Sequence, residues 1–234
     1  MTSECKEYLV KASIAIQPEV SQSFAASRAV EANEPECLTS ILRDHVNLAV
    51  WHRNLDAEIS RFVTDLLGLR TEYSTMQYLS VTRPEDMALQ VSSGLPTEFV
   101  SLHGFQAWLD DITLLMDMYC CLFEPKMVGL RLHIVDRAMC PRFHVDRVPV
   151  RLLCTYGGLG TQWLEESSVV RPDEPDARLP EQITSPAQIQ SVPTGSVALL
   201  KGSAWIGNEA HGIVHRSPPA STEDTRLILG LDWL

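Results

Sequence analysis

The hydrophobic period of this chain changes abruptly at Pro125, and that change constrains its fold more than any other feature. Before the proline, residues 104–124 carry apolar side chains at helical spacing along one face. After it, VGLRLHIV alternates apolar and polar residues with the period of a β-strand. The change predicts a mostly helical part over residues 1–125, packed on a strand-rich domain over residues 126–234.

The N-terminal part divides into three predicted segments. Residues 1–36 are polar and include the acidic stretch EANEPE, which indicates an arm with little regular structure. The apolar run VNLAVW at 46–51 is typical of a buried strand. A second helix is predicted over 54–68, with Asn54 as its N-cap and Gly68 at its end.

The C-terminal part is a series of short apolar segments separated by turn-forming residues. Segments such as VPVRLLCTY, SVPTGSVALL and RLILGLDWL alternate with turns such as GGLG at 157–160. This pattern predicts a sandwich or a double-sheet barrel, with no long helix anywhere in 141–170. The proline-rich, acidic stretch 171–186 is predicted to be an irregular loop near the barrel mouth and a candidate lid.

Composition narrows the classes of partner. The chain has 19 Lys and Arg residues against 30 Asp and Glu residues, and its net charge of −11 argues against binding nucleic acid or an anionic membrane. The N-terminus lacks the features of a signal peptide, and no apolar run approaches the ~20 residues that span a bilayer, so we expect a cytoplasmic protein. The six cysteines form no CxxC motif, and most of them are expected to be free buried thiols.

The residues that point most clearly to chemistry are His144 and Asp146, in PRFHVDRVP. Residues i and i+2 of a strand point to the same side, so both side chains would project into the space that the sheets enclose. His215, 71 residues further on in HGIVHRSPP, is the expected third ligand. Two imidazoles and one carboxylate on one face of a metal ion form the facial triad of non-haem iron(II) oxygenases, which keeps coordination positions open.

Two details of this site stay open at the level of the sequence. His211 lies four residues before His215, and an even spacing would let both face the same side of a strand. We expect His215 to be the ligand because HRSPP follows directly and its distance to Arg226 fits. Cys140 stands four residues before His144, and a thiolate beside imidazoles would favour zinc over an iron ion that activates oxygen.

The pattern resembles two families. An HxD motif, a late histidine and then a basic residue, on a strand-rich half of this length, resemble the iron(II)/2-oxoglutarate dioxygenases. The segments CPRFHVDRVPVRLLCTYGGLGTQWL and HGIVHRSPP more closely resemble the bacterial domain of unknown function 1826 family, over most of the chain. The dioxygenase resemblance implies an α+β fold, in which a double-stranded β-helix (a cupin-like jelly roll) carries the helical N-terminal part.

The same resemblance implies roles for individual residues. It makes His144, Asp146 and His215 the metal ligands and the catalytic centre. It makes Arg226, which opens RLILGLDWL, the anchor for the distal carboxylate of 2-oxoglutarate, a task that suits the planar fork of a guanidinium. Arg151 is the alternative anchor, because an inward charge in VPVRLLCTY would need a partner such as a bound dicarboxylate or Asp146.

Four further side chains could line the pocket. Tyr156 and Thr161 flank GGLG and could donate hydrogen bonds to the cosubstrate, while Trp163 and Trp205 could form walls or pack in the core. The sequence therefore predicts an oxygenase that uses Fe(II) and 2-oxoglutarate to hydroxylate an unknown small-molecule or protein substrate. The alternatives are a non-catalytic zinc- or iron-binding protein of metal homeostasis and a cupin-like enzyme of another reaction type.

Overall fold

A computed structural model describes residues 28–172, 178–219 and 225–234, and these ranges form a mixed α+β fold. The α-helices are α1 (Ala57–Gly68), α2 (Pro84–Ser93), α3 (Thr97–Val100) and α4 (Phe105–Phe123). The strands are β1 (Arg28–Ala32), β2 (Val46–Trp51), β3 (Tyr73–Ser80), β4 (Met127–Val135), β5 (Val150–Gly157), β6 (Gln162–Leu164), β7 (Ile189–Ser191), β8 (Val197–Lys201), β9 (His215–Arg216) and β10 (Arg226–Trp233). Short 3-10 helices lie at Pro35–Leu42, Glu166–Ser168 and Pro186–Gln188.

The strands form two sheets that pack face to face. The larger sheet has the order β1-β2-β8-β5-β10-β4-β3 and is antiparallel except for the β1–β2 pair. The smaller sheet is antiparallel, with the order β7-β6-β9. Trp163 and Ile213, in or beside the smaller sheet, pack in one buried cluster with Leu48 and Leu200 of the larger one. An apolar layer therefore joins the two sheets.

The other face of the larger sheet packs against the helices. The main hydrophobic core contains Trp108 and Ile112 of α4 together with alternate residues of the central strands, such as Leu229 and Leu231 of β10. The predicted helices 104–124 and 54–68 correspond to α4 and α1. The N-cap of α1 is Asp56, whose side chain accepts a hydrogen bond from the Glu58 N–H, and not the predicted Asn54.

Three segments of the N-terminal part are strands of the larger sheet, beside its helices. β2 matches the predicted strand at 46–51, whereas β1 replaces part of the predicted irregular arm. β3 lies at the sheet edge, where only its Leu79 is buried. An edge strand does not need the apolar run of an interior strand, and the sequence of β3 has none. Residues 1–27 of the predicted arm lie outside the described residues, and the domain boundary after residue 125 stays a prediction.

The loops of the C-terminal part agree with the sequence pattern. Residues 141–170 contain one turn of 3-10 helix, at Glu166–Ser168, and no long helix. The described residues of 171–185 contain neither helix nor strand, while 173–177 lie outside the description. The role of this loop as a lid stays a prediction. Among the described helices, none is both long and apolar enough to cross a membrane.

The described cysteines meet the expectation of free buried thiols only in part, and Cys5 lies outside the described residues. Free thiols are found at Cys37, Cys120, Cys140 and Cys154. Cys154 is buried and Cys140 is exposed. Cys121 is disulfide-bonded, which corrects the expectation of a free thiol at that position.

A buried ion pair joins the helical layer to the sheet. Arg53 donates hydrogen bonds of 2.6 and 2.8 Å to the two carboxylate oxygens of Asp111 on α4. It donates a third, of 2.9 Å, to the carbonyl oxygen of Gly195. The hydroxyl of Tyr156 on β5 donates to the same Asp111 carboxylate at 2.6 Å. Removal of one charge would leave the other unpaired between helix and sheet.

Asp111→Ala should therefore destabilise the protein by about 3–5 kcal/mol, because Arg53 would stay buried without its carboxylate. Urea titration measures the free energy of unfolding. Asp110→Ala is the matched control, since Asp110 is the preceding residue, is exposed and accepts a hydrogen bond from Gln106. We expect that variant to remain within about 0.5 kcal/mol of the wild type. Equal stability of the two variants would contradict the structural role of the ion pair.

Candidate metal centre

His144 and His215 lie side by side at the edge of the smaller sheet. Their backbones form an antiparallel bridge, in which each N–H donates to the carbonyl oxygen of the other residue at 3.0 Å. Their ring centroids are 4.5 Å apart. On the other side of β9, His215 pairs with Trp163 of β6. The sheet therefore fixes the positions of both imidazoles.

Both rings have the same tautomer imposed on them. The Nδ1 atom of His144 lies 3.0 Å from the carbonyl oxygen of Arg142, and the Nδ1 atom of His215 lies 3.1 Å from that of Ile213. Because a carbonyl oxygen only accepts, each Nδ1 atom carries a hydrogen, and each Nε2 atom of the neutral ring keeps its lone pair. A hydrogen-bonded second nitrogen is typical of histidines that bind metal.

Asp146 completes a three-residue cluster with the two histidines. Its carboxylate oxygens lie 3.5 Å from Nε2 of His144 and 3.3 Å from Nε2 of His215. One ligand atom from each residue lies within 4.8 Å of the other two. Neighbouring ligands bound at about 2.1 Å to one metal ion are about 3 Å apart, so small side-chain movements would let all three residues bind the same ion.

The electrostatics of this cluster suit a cation. Burial raises the pKa of Asp146, but the adjacent His144 and His215 side chains and the charge of Arg151 lower it by more, so the carboxyl pKa lies well below its usual range. The hydrogen bond to Asp146 raises the pKa of His144, against the opposing effect of burial. Asp146 is thus held in its ionised form, as a carboxylate ligand must be.

The alternatives that the sequence left open are placed away from the cluster. His211 lies in a turn, its side chain is 52% exposed, and its Nδ1 is 3.8 Å from the carboxylate of Glu166. Cys140 is exposed, and its contacts are backbone hydrogen bonds with Ser217. The structure therefore brings His215 to His144, and neither His211 nor Cys140.

A tight backbone contact holds Asp146 in place. The carbonyl oxygen of Asp146 accepts hydrogen bonds from the Ser203 N–H at 2.8 Å and from the Ser203 hydroxyl at 3.3 Å. Gly202 passes so close that a Cβ atom there would overlap the carbonyl oxygens of Val148 and Asp146. The turn after β8 therefore needs glycine in order to approach the ligand segment.

Arg151 lies beside the three-residue cluster, and its guanidinium is paired with two carboxylates. Its Nη1 donates to Asp146 Oδ2 at 2.6 Å, while its Nε and Nη2 donate to the two oxygens of Asp232 at 2.6 and 3.1 Å. Arg131 also donates from Nε to Asp232 at 2.6 Å. Of the two partners suggested by the sequence for Arg151, the structure shows Asp146.

Arg226, by contrast, is buried without a carboxylate from the described part of the chain. It is only 5% exposed, its Nε donates to the carbonyl oxygen of Leu159 at 2.6 Å, and its buried Nη1 has no hydrogen-bond partner there. Burial lowers its pKa to about 10. Gly158, at a φ of +76° that favours glycine, brings the GGLG turn against this arginine. Among the described residues, Arg226 is therefore a preformed cation that lacks an anion.

The two arginines face the same side of the larger sheet. Leu227, Leu229 and Leu231 of β10 pack in the helical core, so the alternate residues Arg226 and Asp232 face away from the helices. Asp232 pairs in register with Arg151 on β5, which places Arg151 on that same face.

The remaining predicted pocket residues are not brought to the cluster as a group. Tyr156 lies in the helical core, where it binds Asp111, and Trp205 packs edge-on against Phe123. Trp163 is buried between the two sheets beside His215, and Thr161 is buried just before β6. The structure therefore offers no contact between Tyr156 and the metal cluster.

Sequence reasoning missed two residues that support the site, Asp232 and Gly202. Asp232 is the single charge inside the apolar run LILGLDWL, and a charge in such a run is a signal for a buried partner. The identity of that partner could not be read from the sequence, because Arg151 is 81 residues away.

Comparisons with solved structures find a fold similar to that of a plant dioxygenase. A dioxygenase for auxin oxidation from rice matches with 12% identity and a TM-score of 0.50, covering 89% of this chain and 83% of that one. The Arabidopsis thaliana dioxygenase for auxin oxidation 1, in a 2-oxoglutarate complex, matches with 12% identity and a TM-score of 0.48, covering 89% and 92%. A prolyl-4-hydroxylase from Pseudomonas putida matches with 8% identity and a TM-score of 0.44, covering 84% and 96%. At such identities the likeness is one of fold.

The chain belongs to the family described as protein of unknown function (DUF1826), whose sequence profile matches residues 32–232. A comparison with curated proteins finds no match. The family resemblance drawn from the sequence is thereby confirmed, and the dioxygenase resemblance is confirmed at the level of the fold.

Gly202→Ala should destabilise the protein by roughly 1–3 kcal/mol, because the added methyl group would overlap the backbone carbonyl oxygens of Val148 and Asp146. Thermal unfolding measures the effect. Gly68→Ala is the control, since a Cβ atom at that helical position meets no atom within 4 Å and alanine is the better helix former. A Gly202→Ala protein as stable as Gly68→Ala would contradict the close approach at Asp146.

Proposed function

We propose that the protein is an iron(II)- and 2-oxoglutarate-dependent oxygenase that hydroxylates a substrate at this centre. The observation that carries the proposal is the combination of the His144–Asp146–His215 cluster with Arg226, a buried cation without an anion in the described ranges. This chemistry needs three ligands on one side of a metal ion, open positions on the other side and a cationic anchor for a dicarboxylate. The fold shared with the rice dioxygenase supports the same class.

His144 and His215 would bind the iron through Nε2, and Asp146 would bind it through a carboxylate oxygen. When bound, the iron would activate dioxygen, which is the oxidant, while 2-oxoglutarate would be the co-reductant: one oxygen atom would enter the substrate as a hydroxyl group, and the other would enter the succinate that forms as 2-oxoglutarate loses carbon dioxide. The protein holds its ligands by backbone hydrogen bonds to each imidazole and to the Asp146 segment. These bonds fix the ligand atoms before the metal arrives, which lowers the cost of ordering them.

Arg226 would bind the distal carboxylate of 2-oxoglutarate. A guanidinium is costly to bury without a counterion, and the lowered pKa of Arg226 reflects that cost. A carboxylate would satisfy the Nη1 hydrogen and restore the balance of charge. Arg151 already has two carboxylate partners, which is why we assign the anchor to Arg226.

We propose further that the strands from β4 onward form a double-stranded β-helix. Two four-stranded layers support this topology. One is β8-β5-β10-β4, within the larger sheet, and the other is β7-β6-β9 extended by the His144 bridge. Such a fold would place the metal ligands on the minor layer and the cosubstrate anchor on the major one.

A metal-binding protein without oxygenase activity is the alternative. It would need the same three ligands, but metal binding alone does not account for Arg226, a buried cation without a carboxylate partner among the described residues. The thiolate that would favour zinc is not supplied by Cys140, which is exposed and outside the cluster. Arg226 therefore favours the oxygenase. The substrate and the cytoplasmic location stay predictions.

Anaerobic loading should give one iron ion per chain in the wild type. His144→Ala, Asp146→Ala and His215→Ala should each lose stoichiometric metal, because two remaining ligands bind a divalent ion weakly. His211→Ala, the control, should keep it. Elemental analysis of desalted protein measures the content, with circular dichroism as the test of folding. A triple variant that retains a full equivalent of metal would refute the assigned ligands.

Arg226→Lys should weaken 2-oxoglutarate binding to the iron-loaded protein by at least about tenfold, because the planar fork is lost although the charge remains. Arg226→Ala should weaken it further, while the iron content stays unchanged in both variants. Anaerobic calorimetry and the metal-to-ligand charge-transfer band report binding. Arg137→Ala is the control, since Arg137 is exposed and paired with Glu72.

Unchanged 2-oxoglutarate binding in Arg226→Ala would remove Arg226 as the anchor and leave Arg151 as the next candidate. A wild-type protein that binds iron but no 2-oxoglutarate would replace the oxygenase proposal with the metal-binding alternative.

A further inference from the structure

A chain of alternating charges runs from the metal cluster to the end of β10. Asp146 binds Arg151, Arg151 binds Asp232, and Asp232 binds Arg131, with shortest distances of 2.6 Å in all three pairs. Asp232 is 1% exposed, so its charge is withdrawn from water. Burial of a carboxylate is costly unless the group is fully paired, and hydrogen bonds from two guanidinium groups provide that pairing.

The guanidinium of Arg151 is held rigidly between the carboxylates of Asp232 and Asp146. Two of its donors, Nε and Nη2, bind the two oxygens of Asp232, which fixes the plane of the guanidinium. The remaining edge presents Nη1 to Asp146 Oδ2. Because a guanidinium is planar and stiff, the position of Oδ2 follows from the position of Asp232 on the neighbouring strand.

We propose that Arg151 is a positioning residue that holds Asp146 as a one-oxygen metal ligand, with Asp232 as its neutralising partner. This inference rests on the metal centre of the proposed function. Arg151 occupies Oδ2, which leaves Oδ1 for the metal. A carboxylate that bound through both oxygens would take an additional coordination position, and a metal centre that must accept cosubstrate and dioxygen needs that position free.

Asp232 explains how a cation can lie this close to a metal ion. An unpaired arginine next to Asp146 would repel a divalent ion and weaken its binding. The two hydrogen bonds to Asp232 cancel most of the charge of Arg151 while leaving its Nη1 donor in place. Asp232 thus neutralises the charge of Arg151, and Arg151 fixes the orientation of the Asp146 carboxylate.

Metal affinity measured without cosubstrate tests this role. Arg151→Gln should weaken the binding of Co(II), used as an air-stable probe, by about 10–100-fold in competition with a chelator, as is typical for loss of a group that orients a ligand. Arg131→Gln is the matched control, because Arg131 binds the same Asp232 but does not touch Asp146. We expect its affinity to stay within about twofold of the wild type.

The variants are chosen so that folding survives. In Arg151→Gln, Asp232 keeps the hydrogen bond from Arg131, so no buried carboxylate is left unpaired. Arg151→Lys keeps the charge but lacks the fork, so it should recover only part of the affinity. It also provides the same comparison if the glutamine variant does not fold. The absorption bands of bound Co(II) should change in both Arg151 variants and stay unchanged in Arg131→Gln, because only Arg151 alters how Asp146 coordinates.

Wild-type metal affinity and an unchanged Co(II) spectrum in Arg151→Gln would overturn the inference, as would full recovery in Arg151→Lys. If the Arg151→Gln variant lost 2-oxoglutarate binding but kept its metal affinity, the inference would also be overturned, and Arg151 would become the cosubstrate anchor. If the wild-type protein did not bind 2-oxoglutarate, only the proposed oxygenase function would be refuted. The role of Arg151 would still be tested, because the comparison of Co(II) affinities does not depend on that ligand.

Discussion

The antiparallel pairing of β5 with β10 is the constraint on which the site depends. These central strands lie between the helical layer and the smaller sheet. Alternate residues face opposite sides of a sheet, so one face of each strand must be apolar while the other carries the charged residues. Leu229 and Leu231 face the helices, whereas Arg226 and Asp232 face the smaller sheet. A slip of one residue would put charges into the helical core and leucines at the candidate metal centre. The packing of α1 and α4 on one face therefore fixes the register of the functional residues on the other.

The distribution of charge then separates the arginines by role. The protein as a whole is acidic, with a net charge of −11, yet three arginines lie on the inner face of the larger sheet. Arg131 and Arg151 share Asp232, and Arg151 also binds Asp146. Arg226 has no carboxylate among the described residues. A cation that is paired at rest can orient a neighbour, whereas a buried cation without a partner is ready to receive an anion.

Much of the architecture could be predicted from local patterns. The change of period at Pro125 located the long helix and the strand series, because helices and strands bury one face at different spacings. The strands β1 and β3 were missed, since short or polar edge strands gain their stability from the neighbouring strand and not from their own sequence. The segment HGIVHR likewise contributes only the two-residue strand β9, which depends on its pairing with β6.

The sequence by itself pointed to His144 and Asp146 as candidate metal ligands, because the two residues are only two positions apart in the chain. The tertiary structure decided what spacing cannot encode. It brought His215 and not His211 to the cluster through the bridge to His144. It also gave Arg151 its partner Asp232, 81 residues away. The partner of a buried charge is set by strand order and register, which arise only when distant segments pair.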